Sequence, residues 1–183
     1  MKKIKNWEIL PYILVIFAVL IRVLSHERIL PLPANFAPVA ALALFGGVYL
    51  GKKYAILIPL AAEVIADIFI GFYEWPVMLT VWGSFILAGL IGLFIRKRKG
   101  LTTVFSGTLA SSFLFFLTTN FAVWAAGAWY PKTLAGLGQC FAMAVPFFRN
   151  SVLGDLFFVG LFFGIYELVV YLNKQPVEAI KAA

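Results

Sequence analysis

The chain has 183 residues, of which 63% are hydrophobic and only 13% are charged, and its formal net charge is +7. This composition is too apolar for a soluble domain, which needs a polar surface, so most of the chain is expected to face lipid. No Ser/Gly-rich or acidic linker divides the sequence, and a single integral membrane domain is therefore expected over residues 1–183. The basic residues form short clusters between apolar segments, which argues against a nucleic-acid-binding protein.

Six apolar segments meet or approach the length of about 20 residues that a membrane-spanning helix needs. They are Ile9–Ser25, Phe36–Leu50, Tyr54–Phe72, Pro76–Ile95, Thr103–Gly127 and Asn150–Leu172. The second is short, so it either spans the membrane with little tilt or crosses only in part. A further segment, Thr133–Phe147, is interrupted by Gly136, Gly138 and Pro146 and reads as a half-helix packed against protein. The predicted fold is an all-α polytopic membrane bundle of about six transmembrane helices plus a short half-helix.

The positions of lysine and arginine predict the orientation of this bundle. With the N-terminus inside, 11 of the 15 basic residues lie on the cytoplasmic side, as the positive-inside rule requires. The inside set is Lys2, Lys3, Lys5, Lys52, Lys53, Arg96, Lys97, Arg98, Lys99, Lys174 and Lys181, and the outside set is Arg22, Arg28, Lys132 and Arg149. We therefore expect a multi-pass protein of the bacterial cytoplasmic membrane with both termini in the cytoplasm.

Small residues spaced four apart occur three times in the predicted second and third spans. The pairs are Ala37 and Ala41, Gly47 and Gly51, and Ala62 and Ala66. This spacing lets helices approach closely in lipid. The pairs either pack the helices of this chain together or form a docking face for a partner subunit, and the sequence leaves both interpretations open.

Two carboxylates lie inside the third span, where an ionisable side chain costs roughly 2.5–3.5 kcal/mol on insertion scales. Glu63 and Asp67 are four residues apart and share a helix face. Neighbouring hydroxyl groups or an arginine could satisfy them, and Arg22, near the outer end of the first span, is the expected counter-charge. Alternatively, the pair could act in acid–base chemistry, although both residues lie on one helix.

Polar side chains gather in the outer half of the predicted bundle, whereas the inner half is nearly bare of strongly polar groups apart from Glu167. The candidate substrate-binding residues are Asn35, Asp67, Asn120, Trp124, Tyr130, Asn150 and Asp155. Structural alternatives exist, since Asn120 could hold two helices together and Asn150 could cap one. Structural polar groups would not favour one half, so we infer a pocket that opens outward. Carboxylates and amides would fix the polar part of a ligand, and Trp124 and Tyr130 would pack against its apolar part.

The sequence contains no motif of the common catalytic, metal or nucleotide sites. It has one histidine, His26, and one cysteine, Cys140, and it lacks HExxH, CxxC, a Gly-rich phosphate loop and Gly-x-Ser-x-Gly. We therefore expect no catalytic residues, no metal, no cofactor and no enzyme activity. An intramembrane enzyme and a structural subunit of a membrane complex remain the alternatives, and the second predicts that the outer polar groups pair fully and leave no cavity.

Several motifs resemble a family of small bacterial membrane transport proteins of unassigned function. They are PANFAPVAALALFGG at 33–47, ADIFIGF at 66–72, TNFAVW at 119–124, YPKTLAGL at 130–137, PFFRN at 146–150 and the Gly154-Asp155 pair. The resemblance extends from about Pro31 to Phe163.

That family is similar in size and number of spans to the substrate-binding S components of energy-coupling-factor vitamin transporters. The resemblance implies uptake of a vitamin or related micronutrient from an outward-facing pocket. It implies as partners either a membrane coupling subunit with cytosolic ATPases or, as in small solitary cobalamin transporters of that group, none. The Ala-x-x-x-Ala docking patch of those components lies in their first span, whereas Ala37 and Ala41 fall in the second span here.

Overall fold

A computed structural model describes residues 10–98 and 100–182, and side chains from 12 to 98 and from 100 to 171. The helices are α1 (Leu10–His26), α2 (Val39–Phe45) with a π-helical continuation (Gly46–Leu50), α3 (Lys52–Ile70), α4 (Trp75–Ile95) with a 3₁₀ turn (Arg96–Arg98), α5 (Leu101–Ala126) and α6 (Leu134–Ala182). The described residues include no strand. The predicted all-helical bundle is thereby confirmed.

Within the described part of the chain, three helices are long and apolar enough to cross a membrane: Trp75–Arg98, Leu101–Ala126 and Leu134–Tyr171. Helix α3 has 19 residues but carries two lysines and two carboxylates. Large apolar side chains on the outside of the bundle are strongly exposed, for example Phe94 at 87% and Leu101 at 94%. Such a surface fits contact with hydrocarbon.

The bundle has two distinct ends. The long-loop end carries the connections 27–38, 71–74 and 127–133, and the basic end carries Lys52, Lys53 and the Arg96–Arg98 turn. An ideal Cβ on Gly51 would lie 3.1 Å from an Nη atom of Arg96, which brings the two basic clusters together. The predicted inside residues Lys2, Lys3, Lys5 and Lys99 lie outside the described residues, as do the side chains of Lys174 and Lys181.

Helix α2 is the centre of the bundle, since all of its residues are buried. It contacts α3, α4, α5 and α6. Its seven residues and the five of the π-helix give about 18 Å of helix, shorter than the hydrocarbon core of about 30 Å. The predicted second span is therefore a short core helix that the 27–38 segment leads into.

Glycines on α4 make this central packing possible. A Cβ on Gly89 would lie 2.0 Å from the Ala55 carbonyl oxygen, and a Cβ on Gly92 would lie 2.3 Å from the Leu44 carbonyl oxygen. The backbones of α2, α3 and α4 thus touch where no side chain intervenes. Of the small-residue pairs, Ala41, Gly47, Gly51, Ala62 and Ala66 are buried within the chain, which fits the internal-packing interpretation.

The separate half-helix predicted at Thr133–Phe147 is corrected by the structure, because these residues form one helix with the predicted sixth span. Gly136, Gly138 and Pro146 break helices in water, but membrane helices tolerate glycine and proline where neighbouring protein packs around them. The apolar part of α6 has 38 residues, or about 57 Å of helix. That length is nearly twice the thickness of a hydrocarbon core.

Candidate solute-binding site

A buried charged cluster links α1, α3 and α4 in the half of the bundle nearer the long-loop end. The Arg22 guanidinium donates through Nη1 to Glu63 Oε1 at 2.8 Å and through Nη2 to Asp67 Oδ1 at 3.2 Å. Trp82 Nε1 donates to the second Asp67 oxygen at 2.8 Å. Both carboxylates are fully buried, and the spacing of four residues lets a single arginine reach both of them. The prediction that Arg22 is their counter-charge is confirmed.

The cluster is not fully satisfied by hydrogen bonds. Glu63 Oε2 and Arg22 Nε are buried without a hydrogen-bond partner among the described residues. An unpaired buried polar atom is costly, so its occurrence in a native protein calls for an explanation.

A second buried polar contact joins α5 to α6. Ser112 Oγ donates to Asp155 Oδ2 at 2.7 Å, and Asp155 is only 6% exposed. Ser112 lies in a run of hydroxyl residues on α5 that bond backbone carbonyls one turn back, among them Thr108 and Ser111. Ser84 on α4 and Thr118 on α5 share a further hydrogen bond of 2.7 Å between their hydroxyls. Helix α5 thus turns a polar stripe toward the interior.

The segment before α2 presents Asn35 to the same region through a tight turn. The Phe36 amide donates to the Pro33 carbonyl at 3.0 Å, and Asn35 has a φ of +65°. Asparagine tolerates this left-handed conformation better than most residues. Asn150 Nδ2 on α6 donates to the Ala34 carbonyl at 3.0 Å and fixes the turn in place.

Gly154 allows this turn to sit directly on α6. A Cβ at Gly154 would lie 3.1 Å from Phe36 Cα. The motif at 33–36 and the motif around 150–155 therefore form a single structural unit, in which Asn150 and Gly154 position Asn35.

Two adjoining cavities lie between these elements. The upper one has a volume of about 240 Å³ and the lower one about 50 Å³. Both are lined by Asn35, Phe115 and Ser151, so the lower cavity continues the upper one. Asn35 and Tyr73 line the upper cavity and are exposed. Both belong to connections of the long-loop end, so the mouth of the upper cavity lies at that end.

The polar lining of the two cavities comes from several elements. Thr119 and Asn120 of α5 line the upper cavity. Arg22 of α1 and Asp155 of α6 line the lower one. The cavities can therefore offer a ligand a carboxylate, an amide and hydroxyl groups at one end of the bundle. Aromatic walls, including Phe85 and Phe115 with ring centroids 5.0 Å apart, complete the site.

The structure brings three of the seven predicted binding residues to these cavities, namely Asn35, Asn120 and Asp155. Asp67 lies one contact away, because it bonds Arg22, which lines the lower cavity. The other three residues line neither cavity: Trp124 donates to the Pro131 carbonyl at 2.9 Å, Tyr130 lies half-buried in the 127–133 loop, and Asn150 holds the Asn35 turn.

Several cavity residues were not among the predicted binding residues. Ser151 is one residue from Asn150 and four from Asp155, so helical phase, rather than polarity, places it beside Asp155. Tyr73 comes from the short 71–74 connection, which carried no signal beyond an interfacial aromatic. Partial burial, together with the nearby carboxylates of Asp67 and Glu63, raises the pKa of the Tyr73 phenol.

Comparison with known proteins gives a family but no assigned function. A search among curated proteins found no match. A search among solved structures found no match either. A family profile matches residues 2–179, which is nearly the whole chain, and the protein belongs to this family of unknown function, DUF6580.

Proposed function

We propose that this protein is a solute-binding transport protein of the bacterial cytoplasmic membrane, which takes up a small molecule such as a vitamin or related micronutrient. The observation that carries the proposal is the pair of adjoining cavities, with a few polar groups in their lining, that lead from the long-loop end to Arg22 and Asp155. A small-ligand site needs a concave, largely apolar space with a few converging polar groups, and these cavities have that character.

The proposed orientation follows from the basic residues. Of the nine lysines and arginines whose side chains are described, five (residues 52, 53 and 96–98) lie at the end opposite the cavity mouth, and the other four are Arg22, Arg28, Lys132 and Arg149. The further basic residues predicted on the cytoplasmic side bring the total there to 11 of 15. Under the positive-inside rule that end faces the cytoplasm, so the cavity opens outward. The charge distribution and the position of the cavity mouth together support uptake rather than export.

A second space supports a release route at the basic end. A groove of about 740 Å³ between α5 and α6 is lined by Tyr49, Thr108, Leu156 and Gly164, among others. The Ser112–Asp155 hydrogen bond lies between this groove and the lower cavity. Asp155 is next to the groove residue Leu156, and Ser112 is one helical turn from the groove residue Thr108. We propose that the solute passes this contact when α5 and α6 separate.

The alternative functions find less support in the geometry. The hypothesis of a purely structural subunit predicts that the outer polar groups pair fully and leave no cavity, whereas a cavity remains beside Asn35 and Asn120. Acid–base catalysis by Glu63 and Asp67 is disfavoured because both carboxylates bond the same arginine. Energy would come either from a coupling subunit with cytosolic ATPases, as in the S components that the sequence resembles, or from a solitary mechanism.

The test is to identify small molecules that co-purify with the protein by mass spectrometry and to ask whether a blocked cavity still retains them. Ser151→Phe fills the space shared by both cavities, whereas Leu153→Phe adds similar bulk on the same helix at an exposed position. The solute should be present with the wild type and Leu153→Phe and absent from Ser151→Phe. A milder variant, Asn120→Leu, should retain less solute if Ser151→Phe does not fold. The proposal fails if no solute co-purifies, or if every variant retains it equally.

A further inference from the structure

We infer that the solute is a small organic cation, whose ammonium or amidinium group lies beside Asp155 in the lower cavity. This inference rests on the proposed function, because it names the class of solute for the same cavity. It is argued from the charged side chains around the cavity and from the hydrogen bonds that these side chains make.

Arg22 and Asp155 line the lower cavity, and the two carboxylates that Arg22 bonds, Glu63 and Asp67, lie behind it. Among the described residues, Arg22 is the one cation of this group, and its two Nη bonds go to Glu63 and Asp67. Asp155 lines the same cavity and, within the described part of the chain, has no lysine, arginine or histidine within salt-bridge distance. Two carboxylates thus share a single guanidinium, and the third, Asp155, has no ion-pair partner among the described residues, so the three carboxylates outnumber the one guanidinium.

Asp155 is a buried carboxylate that accepts a hydrogen bond from a neutral hydroxyl. Its Oδ2 accepts from Ser112, and the residue is 6% exposed. A buried carboxylate needs a compensating positive charge or a proton. Asp155 lines the lower cavity, so a cation can reach its carboxylate from that cavity.

The neighbouring cluster of Arg22, Glu63 and Asp67 does not offset the charge of Asp155. Arg22 carries one positive charge and bonds two fully buried carboxylates, and Glu63 Oε2 and Arg22 Nε each lack a hydrogen-bond partner among the described residues. An anionic ligand would meet this excess as well as the Asp155 carboxylate. The remaining cations of the long-loop end, Arg28, Lys132 and Arg149, are exposed and line neither cavity.

The rest of the lining suits the body of an organic cation rather than a bare metal ion. Phe85 and Phe115 border the lower cavity and Phe116 borders the upper one. Aromatic rings attract cations through their quadrupole and pack against apolar groups. A hard metal ion needs six or more oxygen ligands, whereas an ammonium group donates hydrogen bonds that a single carboxylate and nearby amide or hydroxyl oxygens can accept.

Three single-ring aromatic probes of similar size but different charge test the inference: benzylamine, benzyl alcohol and benzoate. Each is added to the purified full chain in detergent, and the thermal unfolding midpoint is followed with concentration, since a ligand of the folded state raises it. Benzylamine should give a saturable rise, benzyl alcohol a smaller one and benzoate none. Asp155→Asn, which keeps the shape of the side chain, should weaken benzylamine binding by about 10- to 100-fold.

Glu74→Gln is the matched control, because Glu74 is an exposed carboxylate of the same end and lines neither cavity. It should bind benzylamine as the wild type does. Any of four results would overturn the inference. Benzoate could stabilise the protein as much as benzylamine does, or sodium chloride could stabilise it when benzylamine does not. Alternatively, no probe could stabilise it, or Asp155→Asn could bind benzylamine as the wild type does.

The two proposals fail in different ways. If the co-purified solute is neutral or anionic, the charge assignment is wrong while the binding function stands. If benzylamine binds beside Asp155 but no solute is retained or taken up, the cation site exists without the transport function.

Discussion

Arg22 decides whether two buried carboxylates can exist in the core of this bundle. It bonds Glu63 at 2.8 Å and Asp67 at 3.2 Å, while both carboxylates are fully buried. Breaking a buried ion pair by removing one partner typically costs several kilocalories per mole, because the remaining charge is left uncompensated.

Arg22→Met is therefore expected to lower the free energy of unfolding by about 3–5 kcal/mol, measured by chemical unfolding in detergent micelles. Arg28→Met removes an exposed arginine of the same end and should change it by no more than about 0.5 kcal/mol. Adding Glu63→Gln and Asp67→Asn to Arg22→Met should restore part of the loss, since no unpaired charge then remains. An Arg22→Met protein as stable as the wild type would show that the cluster does not hold the core.

At the scale of residues, the sequence was informative where spacing and charge acted together. The interval between Glu63 and Asp67 placed both on one face, and Arg22 was the expected partner at the matching depth. Trp82 could not be identified as a partner, because the rotation of α4 about its axis is set by packing. For the same reason polarity pointed to Asn150, whereas its neighbour Ser151 lines the cavities.

Helix α4 is the element whose packing depends most on the absence of side chains. A Cβ on Gly89 would lie 2.0 Å from the Ala55 carbonyl oxygen, whereas a Cβ on Gly83 of the same helix would meet nothing within 4 Å. Gly89→Ala should therefore force α3 and α4 apart and lower the free energy of unfolding by about 1–3 kcal/mol or more.

Gly83→Ala provides the internal comparison, because it adds the same methyl group to the same helix without a steric conflict. It should leave stability unchanged or raise it by up to about 1 kcal/mol through helix propensity. Equal effects of the two substitutions in thermal unfolding of the purified protein would contradict the close approach of α3 and α4.

At the scale of elements, hydropathy located the long helices but not their continuity or their depth. The half-helix at Thr133–Phe147 was predicted because Gly136, Gly138 and Pro146 break helices in water, but helix α6 continues through all three residues. The predicted second span became the short central helix α2, because burial by neighbouring helices and burial by lipid leave the same apolar pattern in the sequence.

At the scale of the whole molecule, the account depends on the two ends of the bundle being chemically different. One end has the mouth of a polar cavity and the other has two basic clusters beside a groove between α5 and α6. The sequence predicted that polar side chains gather in one half, but it could not predict that three of its seven candidates meet in the same space. That outcome depends on helix rotation and on the turn at Asn35, which are tertiary features.

The most direct test of the central claim is uptake of the co-purified solute by vesicles that contain the purified protein, with its coupling subunits where these co-purify. Wild-type protein and Leu153→Phe should accumulate the solute, whereas Ser151→Phe, which fills the space shared by the two cavities, should reduce its initial rate to that of empty vesicles. Uptake by Ser151→Phe at the wild-type rate would contradict the claim that the solute passes through these cavities.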